Sequence, residues 1–107
     1  MINLFELNEK IINHNCVYAL AIDKEPATHK YNLLLSLGDS EFETCSKLNI
    51  YFHDVSALNI CEFGGGLTQF MKLFIVRDEH GLDRVNFHLR DEEHRKIYFS
   101  FASFDVL

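Results

Sequence analysis

The hydrophobic period of this chain changes once, and that change constrains the fold more than any other feature. From Asn3 to His14 the apolar residues fall at Leu4, Leu7 and Ile11 and at Phe5 and Ile12. Offsets of three, four and seven trace a stripe on the 3.6-residue helical period. Asn3 stands where a side chain can accept from the first free amides of a helix, with Glu6 three residues on, an Asn-led variant of the capping box. Asn13 and Asn15 suit the exit. The spacing predicts one helix. From Cys16 onward the period is two, the signature of strands whose side chains alternate between faces.

Strand signals then recur between turn residues. Cys16 to Asp23 and Tyr31 to Leu37 flank the segment 24–30, whose Pro26 cannot donate to a ladder. Gly38-Asp39-Ser40 reads as a turn. Leu48, Ile50 and Phe52 alternate with Asn49, Tyr51 and His53; Asp54 to Ser56 leads to a strand in which Leu58 and Ile60 alternate with Asn59 and Cys61. Met71 to Arg77 reads as a strand buried on both faces, and the segment 78–81 as a turn. Val85, Phe87 and Leu89 form the inner row of the next strand, and Ile97, Phe99 and Phe101 that of the last. Ten phenylalanines favour sheet packing over a helical bundle. The expected fold is a single domain over 1–107 of the α+β class: a mainly antiparallel β-sheet or small sandwich with an N-terminal helix packed on it.

Composition narrows the environment. Hydrophobic residues at 48% and charged residues at 24% are globular values, which excludes intrinsic disorder. The longest apolar run, Cys16 to Ile22, falls far short of a membrane span. Glu6, Glu9 and Lys10 interrupt the first fifteen residues, so these do not read as a secretory signal. Sixteen acids against ten Lys and Arg leave a net charge of −6. Phosphate backbones are bound through Lys and Arg, so neither direct nucleic-acid binding nor attachment to anionic lipid is expected, whereas a basic protein partner fits. Cys16, Cys45 and Cys61 are odd in number with no CxxC, which reads as a reducing, cytoplasmic setting. Cys16 and Cys61, beside Val17 and Ile60, read as buried small hydrophobes.

No chemical motif dominates. Gly64-Gly-Gly66 is followed by Leu67 rather than by the Lys-Ser/Thr of a phosphate loop, so it reads as a turn or bulge needing positive φ. The six histidines include no HExxH and no zinc-type spacing with cysteine. His53 and His88 share the outward parity of their strands. If those strands neighbour each other they could meet, which grounds an alternative reading as a small-molecule or metal-binding β domain; as a residue type they also suit the tuning of a protein contact. Ser56 follows His53 and Asp54 closely, but adjacent strand residues point to opposite faces and do not make a triad. The expectation is a protein that is not an enzyme and carries no cofactor or metal. Acids gather instead at Asp39, Glu41, Glu43 and Asp54, at Asp78, Glu79 and Asp83, and at Asp91, Glu92 and Glu93, all in connections between strands.

The segment from Leu48 through His53, Asp54-Val55-Ser56 and Asn59 to Glu62-Phe-Gly-Gly-Gly66 resembles a pattern of small bacterial proteins. In these, a strand ending in an aromatic turns at a short Val-Ser corner into a second strand that closes on Phe-Gly-Gly-Gly. The turn from Val76 to Gly81 with the following Val85-Asn-Phe87 is similar to their closing hairpin, and the likeness extends over Leu48 to Phe104. The family is that of immunity proteins of toxin–immunity pairs, including contact-dependent growth inhibition. The resemblance implies inhibitory binding: occupation of a cognate toxin's active site, with no catalytic residues to carry over. Many such toxins are nucleases, with basic clefts that hold phosphates, and an acidic inhibitor matches them in charge. The expected partner is thus a basic nuclease toxin domain, a ribonuclease first. The expected binding residues are Asp39, Glu41, Glu43, Glu62, Asp78 and Glu79, helped by Tyr51 and Tyr98. A structural subunit of a larger assembly is a further alternative.

Overall fold

The computed structural model describes residues 3–42, 44–78 and 86–107, Asp78 and Asn86 by their backbone alone. Among these residues one helix, α1 (Leu4–Ile12), precedes eight strands: β1 (Cys16–Lys24), β2 (Tyr31–Gly38), β3 (Lys47–His53), β4 (Ser56–Ile60), β5 (Leu73–Asp78), β6 (Asn86–Asp91), β7 (Ile97–Phe101) and β8 (Ser103–Val106). They form two four-stranded antiparallel sheets, ordered β1-β2-β3-β8 (sheet A) and β4-β7-β6-β5 (sheet B). The α+β expectation, with its N-terminal helix, holds. Among the described residues no helix is long and apolar enough to cross a membrane.

The helix begins where the sequence places it. Asn3 Oδ1 accepts the Glu6 amide at 2.8 Å, satisfying one of the free N–H groups of the first turn. Leu7, Asn8 and Ile11 are buried, and the helix packs against β5. Phe5, however, is 72% exposed and Ile12 is exposed too, because one strand at the edge of a sheet covers a single row of the helix and not the second row of the stripe.

The sheets meet through alternate residues. Leu33, Leu35 and Leu37 of β2 and Leu48, Ile50 and Phe52 of β3 face Leu89, Ile97, Phe99 and Phe101 across the core. Phe52 packs edge-on to Phe99 and Phe101, with ring centroids 5.0 and 4.7 Å away, the geometry that ring quadrupoles prefer. The chain changes sheet twice. Asp54 and Val55 carry it from β3 into β4, and Ala102 alone carries it from β7 back into β8, where the Ala102 amide donates to His53 O at 2.9 Å. β8 has no counterpart in the strand pattern read from the sequence, which stops at Phe101.

Three local expectations need correction. β5 is buried on one face only: Leu73 and Ile75 are buried, but Phe74 is 37% exposed, because nothing described covers the outer face of sheet B at this edge. Cys61 is exposed past the end of edge strand β4; only Cys16 of the three free thiols is buried. Asp91 is not a solvated loop acid. It is 1% exposed, and its carboxylate accepts the amides of Glu93, His94 and Lys96, closing the connection between β6 and β7. The triple glycine has positive φ at all three positions, as expected of a turn.

Candidate protein-binding face

The outer face of sheet A carries a row of polar and aromatic side chains from three of its strands. Pairing registers set it. Asp23 faces Asn32, Leu34 faces Tyr51, Tyr51 faces Asp105, and His53 faces Ser103, so all these side chains share the side away from Phe52. The Tyr51 hydroxyl donates to the Asp23 carboxylate, at 3.0 and 3.1 Å from its two oxygens. The Tyr51 and His53 rings stack with centroids 5.0 Å apart. His53 Nε2 lies 2.7 Å from Asp105 Oδ2. The order along the row is therefore Asp23, Tyr51, His53, Asp105.

The rim at the end of β3 is polar and tied down. The buried Asn32 carboxamide donates to Glu25 Oε1 at 3.0 Å and accepts the Asp54 amide at 3.2 Å. Thr28 donates to Glu25 Oε2 at 2.8 Å, and these two donors hold the Glu25 carboxyl below the usual carboxylate range. Half-burial, and then the bond to Asp23, push the Tyr51 phenol above its ordinary value. Lys30 reaches Asp54 at 3.9 Å. The carboxylates of Asp23, Glu25, Asp54 and Asp105 thus gather at this end of the face, against Lys24 and Lys30.

An aromatic ring flanked by two carboxylates has a definite chemistry. A guanidinium can lie over the Tyr51 face while its N–H groups reach Asp23 or Asp105, combining a cation–π contact with charge-assisted hydrogen bonds. The internal hydrogen bonds hold the side chains in place, so less rotamer freedom is lost on docking.

The described residues expected to bind a partner fall in five places. Tyr51 lies in this row. Asp39 and Glu41 are exposed in the connection between β2 and β3, at the other end of the same sheet; Tyr18 caps that loop, its hydroxyl donating to Ser40 O and Phe42 O. Glu62, exposed and at φ 55°, leads from β4 into the glycine turn at that end of the fold, where Phe70 is tied to Asn15. Asp78 ends β5 at the opposite end, and Tyr98 lies on the outer face of sheet B, its hydroxyl 3.1 Å from His88 Nδ1. Glu43 and Glu79 lie outside the described residues, as does the turn at 79–85.

His53 and His88 do not meet. They occupy the outer faces of different sheets, with the core between them: His53 on Asp105, His88 on Ser100 Oγ at 2.7 Å. Their shared parity is real, but the chain crosses sheets between β3 and β4, so equal parity puts them on opposite sides. Among the described residues no group of three or more His, Cys, Asp or Glu side chains could hold a metal ion. Sequence reasoning missed Asp23 and Asp105, which carry the charge of the row. The available signal was parity: Asp23 shares its side of β1 with Ala19 and Ala21, the outward row.

No protein-family model matches the chain, and neither a curated protein nor a solved structure matches it.

Proposed function

We propose that this protein is an immunity-type inhibitor acting in the cytoplasm, which binds a basic toxin domain, a ribonuclease first among nucleases, and occludes its active site without chemistry of its own. The observation that carries the reading is the row Asp23, Tyr51, His53 and Asp105: a pre-ordered aromatic between carboxylates, on an open sheet face of a chain with a net charge of −6. A nuclease cleft lined with Arg and Lys presents the complementary groups. Asp39 and Glu41, at the far end of the same sheet, extend the acidic surface and act mainly on the encounter rate, whereas acids buried in paired contacts each contribute a few kcal/mol, on the order of 2–5.

The test is co-expression. The C-terminal segment of the reading frame encoded just upstream is induced with and without this chain, and growth and complex formation are scored. Rescue with a co-purifying complex supports the reading. The pair Asp23→Lys and Asp105→Lys should abolish rescue while leaving the fold intact by circular dichroism. A toxic segment that the chain neither binds nor neutralises would remove the reading.

A further inference from the structure

β1 leaves one edge of sheet A open. On one side it pairs with β2 along its length; on the other, the Val17 amide donates to Thr68 O at 2.9 Å and Cys16 bridges Gln69. From Ala19 to Lys24 no described residue pairs with that second side. Natural edges are usually blunted by charge, proline or a bulge. Here the bulge sits at Tyr18, before the open stretch, and Ala19-Leu-Ala-Ile22 carries no charge.

The open stretch is apolar on its core side. Ile22 pairs in register with the fully buried Leu33, and Leu20 with Leu35, yet Ile22 is 48% exposed because the sheet ends beside it. A slot of about 320 Å³ runs along the first half of this edge between residues 17–20 and the exposed Phe63 and Leu67. Four consecutive strand residues alternate between faces, so a slot that touches all four follows the strand's edge.

We propose that this edge pairs with β1 of a second copy of the chain, antiparallel about Ala21. That register sets Leu20 of each copy opposite Ile22 of the other on the core side, and Ala21 opposite Ala21 on the outer side, where small side chains permit close approach. It brings Lys24 of one copy beside Tyr18 of the other, at the end of the sheet where Asp39, Glu41 and Glu62 stand exposed. A register centred on Leu20 would push Lys24 against Cys16, where Thr68 and Gln69 already occupy the edge. One centred on Ile22 would set Lys24 against Leu20. The two-fold contact is closed and self-limiting. It yields one eight-stranded sheet whose outer face joins the two Asp23–Asp105 rows. The pairing stands on the edge alone and does not depend on the inhibitory reading.

Sedimentation of the full chain over a concentration series tests it. A monomer–dimer equilibrium is expected, and Ile22→Lys, which places a charge on the edge, should weaken it at least tenfold. Register is read by cross-linking in a Cys45→Ser, Cys61→Ser background. Directly opposed antiparallel residues have Cα atoms about 4.5–5.5 Å apart, within disulfide reach. Ala21→Cys should therefore give a covalent dimer under mild oxidation. Ala19→Cys, displaced from its own equivalent by four residues or about 13 Å, should not. A chain that stays monomeric, a dimer unchanged by Ile22→Lys, or cross-linking of the Ala19→Cys variant in place of the Ala21→Cys variant overturns the proposal.

Discussion

The Asn8 carboxamide of α1 makes both hydrogen bonds of a strand neighbour with the backbone of Ile75 in β5: Nδ2 donates to Ile75 O and Oδ1 accepts the Ile75 amide, each at 2.9 Å. β5 is an edge strand of sheet B, and Ile75 is buried. The helix therefore does more than cover apolar surface. It closes a sheet edge that would otherwise bury an unpaired amide and carbonyl.

Asn8→Ala removes both partners at once. Each buried, unsatisfied backbone group costs about 1–3 kcal/mol, so the variant should lose roughly 2–6 kcal/mol, read as a lower urea midpoint at unchanged slope. Asn8→Asp keeps an acceptor for the amide but turns a second oxygen toward Ile75 O, and should be at least as damaging. A loss below about 0.5 kcal/mol for Asn8→Ala would mean that water replaces the carboxamide.

Asp91 holds the connection between β6 and β7 through three backbone amides, Glu93 at 3.1 Å and His94 and Lys96 at 3.4 Å. Hydrogen bonds to a charged acceptor are worth about 1.5–3 kcal/mol, but these are long and share one side chain. Asp91→Ala should cost roughly 2–3 kcal/mol and Asp91→Asn less, since one oxygen still accepts. Hydrogen exchange of the 93–96 amides should accelerate in both variants more than exchange in β2.

Gly38 is required for space rather than for backbone freedom. A Cβ there would stand 2.4 Å from the Tyr18 ring and 2.8 Å from Cys45 Sγ. Gly38→Ala must displace the ring that bonds Ser40 O and Phe42 O, at about 1–3 kcal/mol for overpacking. In the Tyr18→Ala background the same substitution should cost much less, and a double-mutant cycle measures the difference. Equal costs in both backgrounds would place the clash on Cys45 instead.

These features show where the sequence is readable. The helix start follows from Asn3 and Glu6, three residues apart, and seven strands follow from alternation or short apolar runs between turn residues; all of these signals are local. β8 escapes that pattern because its connection to β7 is the single Ala102, with no glycine, proline or acidic turn to mark a boundary. Asn8 sits between Leu7 and Ile11 on the buried stripe, and a polar residue there signals a partner without saying which. The outward parity of Tyr51 and His53 is legible. So is that of Asp23, but that Asp23 and Asp105 join their row is not, because only the strand order β1-β2-β3-β8, which joins the first strand to the last, brings them together. Strand order is set by contacts between distant segments that no local pattern encodes.

Glu25 gives the acid limb of stability a specific source. Donation from Asn32 and Thr28 favours the carboxylate, so its folded-state value lies below its unfolded one. The stabilisation is then present above the ordinary carboxylate range near pH 4.3 and is lost as pH falls through it toward the folded value. Glu25→Gln should lower the melting temperature at pH 7 and leave it nearly unchanged at pH 3, so the gap between the two proteins closes on acidification. A gap that stays constant with pH would assign the effect to lost hydrogen bonds alone.

Tyr51 acts at the opposite limb and reports on the candidate face itself. Half-burial first, and then donation to Asp23, favour the neutral phenol, so its folded value is raised. This stabilisation is complete below about pH 10 and is lost as pH rises through the folded value. The chain has four tyrosines, so the phenolate absorbance of Tyr51→Phe is subtracted from that of the parent to isolate one ring. The difference curve should rise above pH 10. In Asp23→Asn it should move down toward 10 without reaching it, because burial persists when the neighbouring charge is removed. A difference curve that does not move in Asp23→Asn would show that Tyr51 and Asp23 are not joined in solution, and the pre-ordered row that would receive a basic partner would lose its central contact.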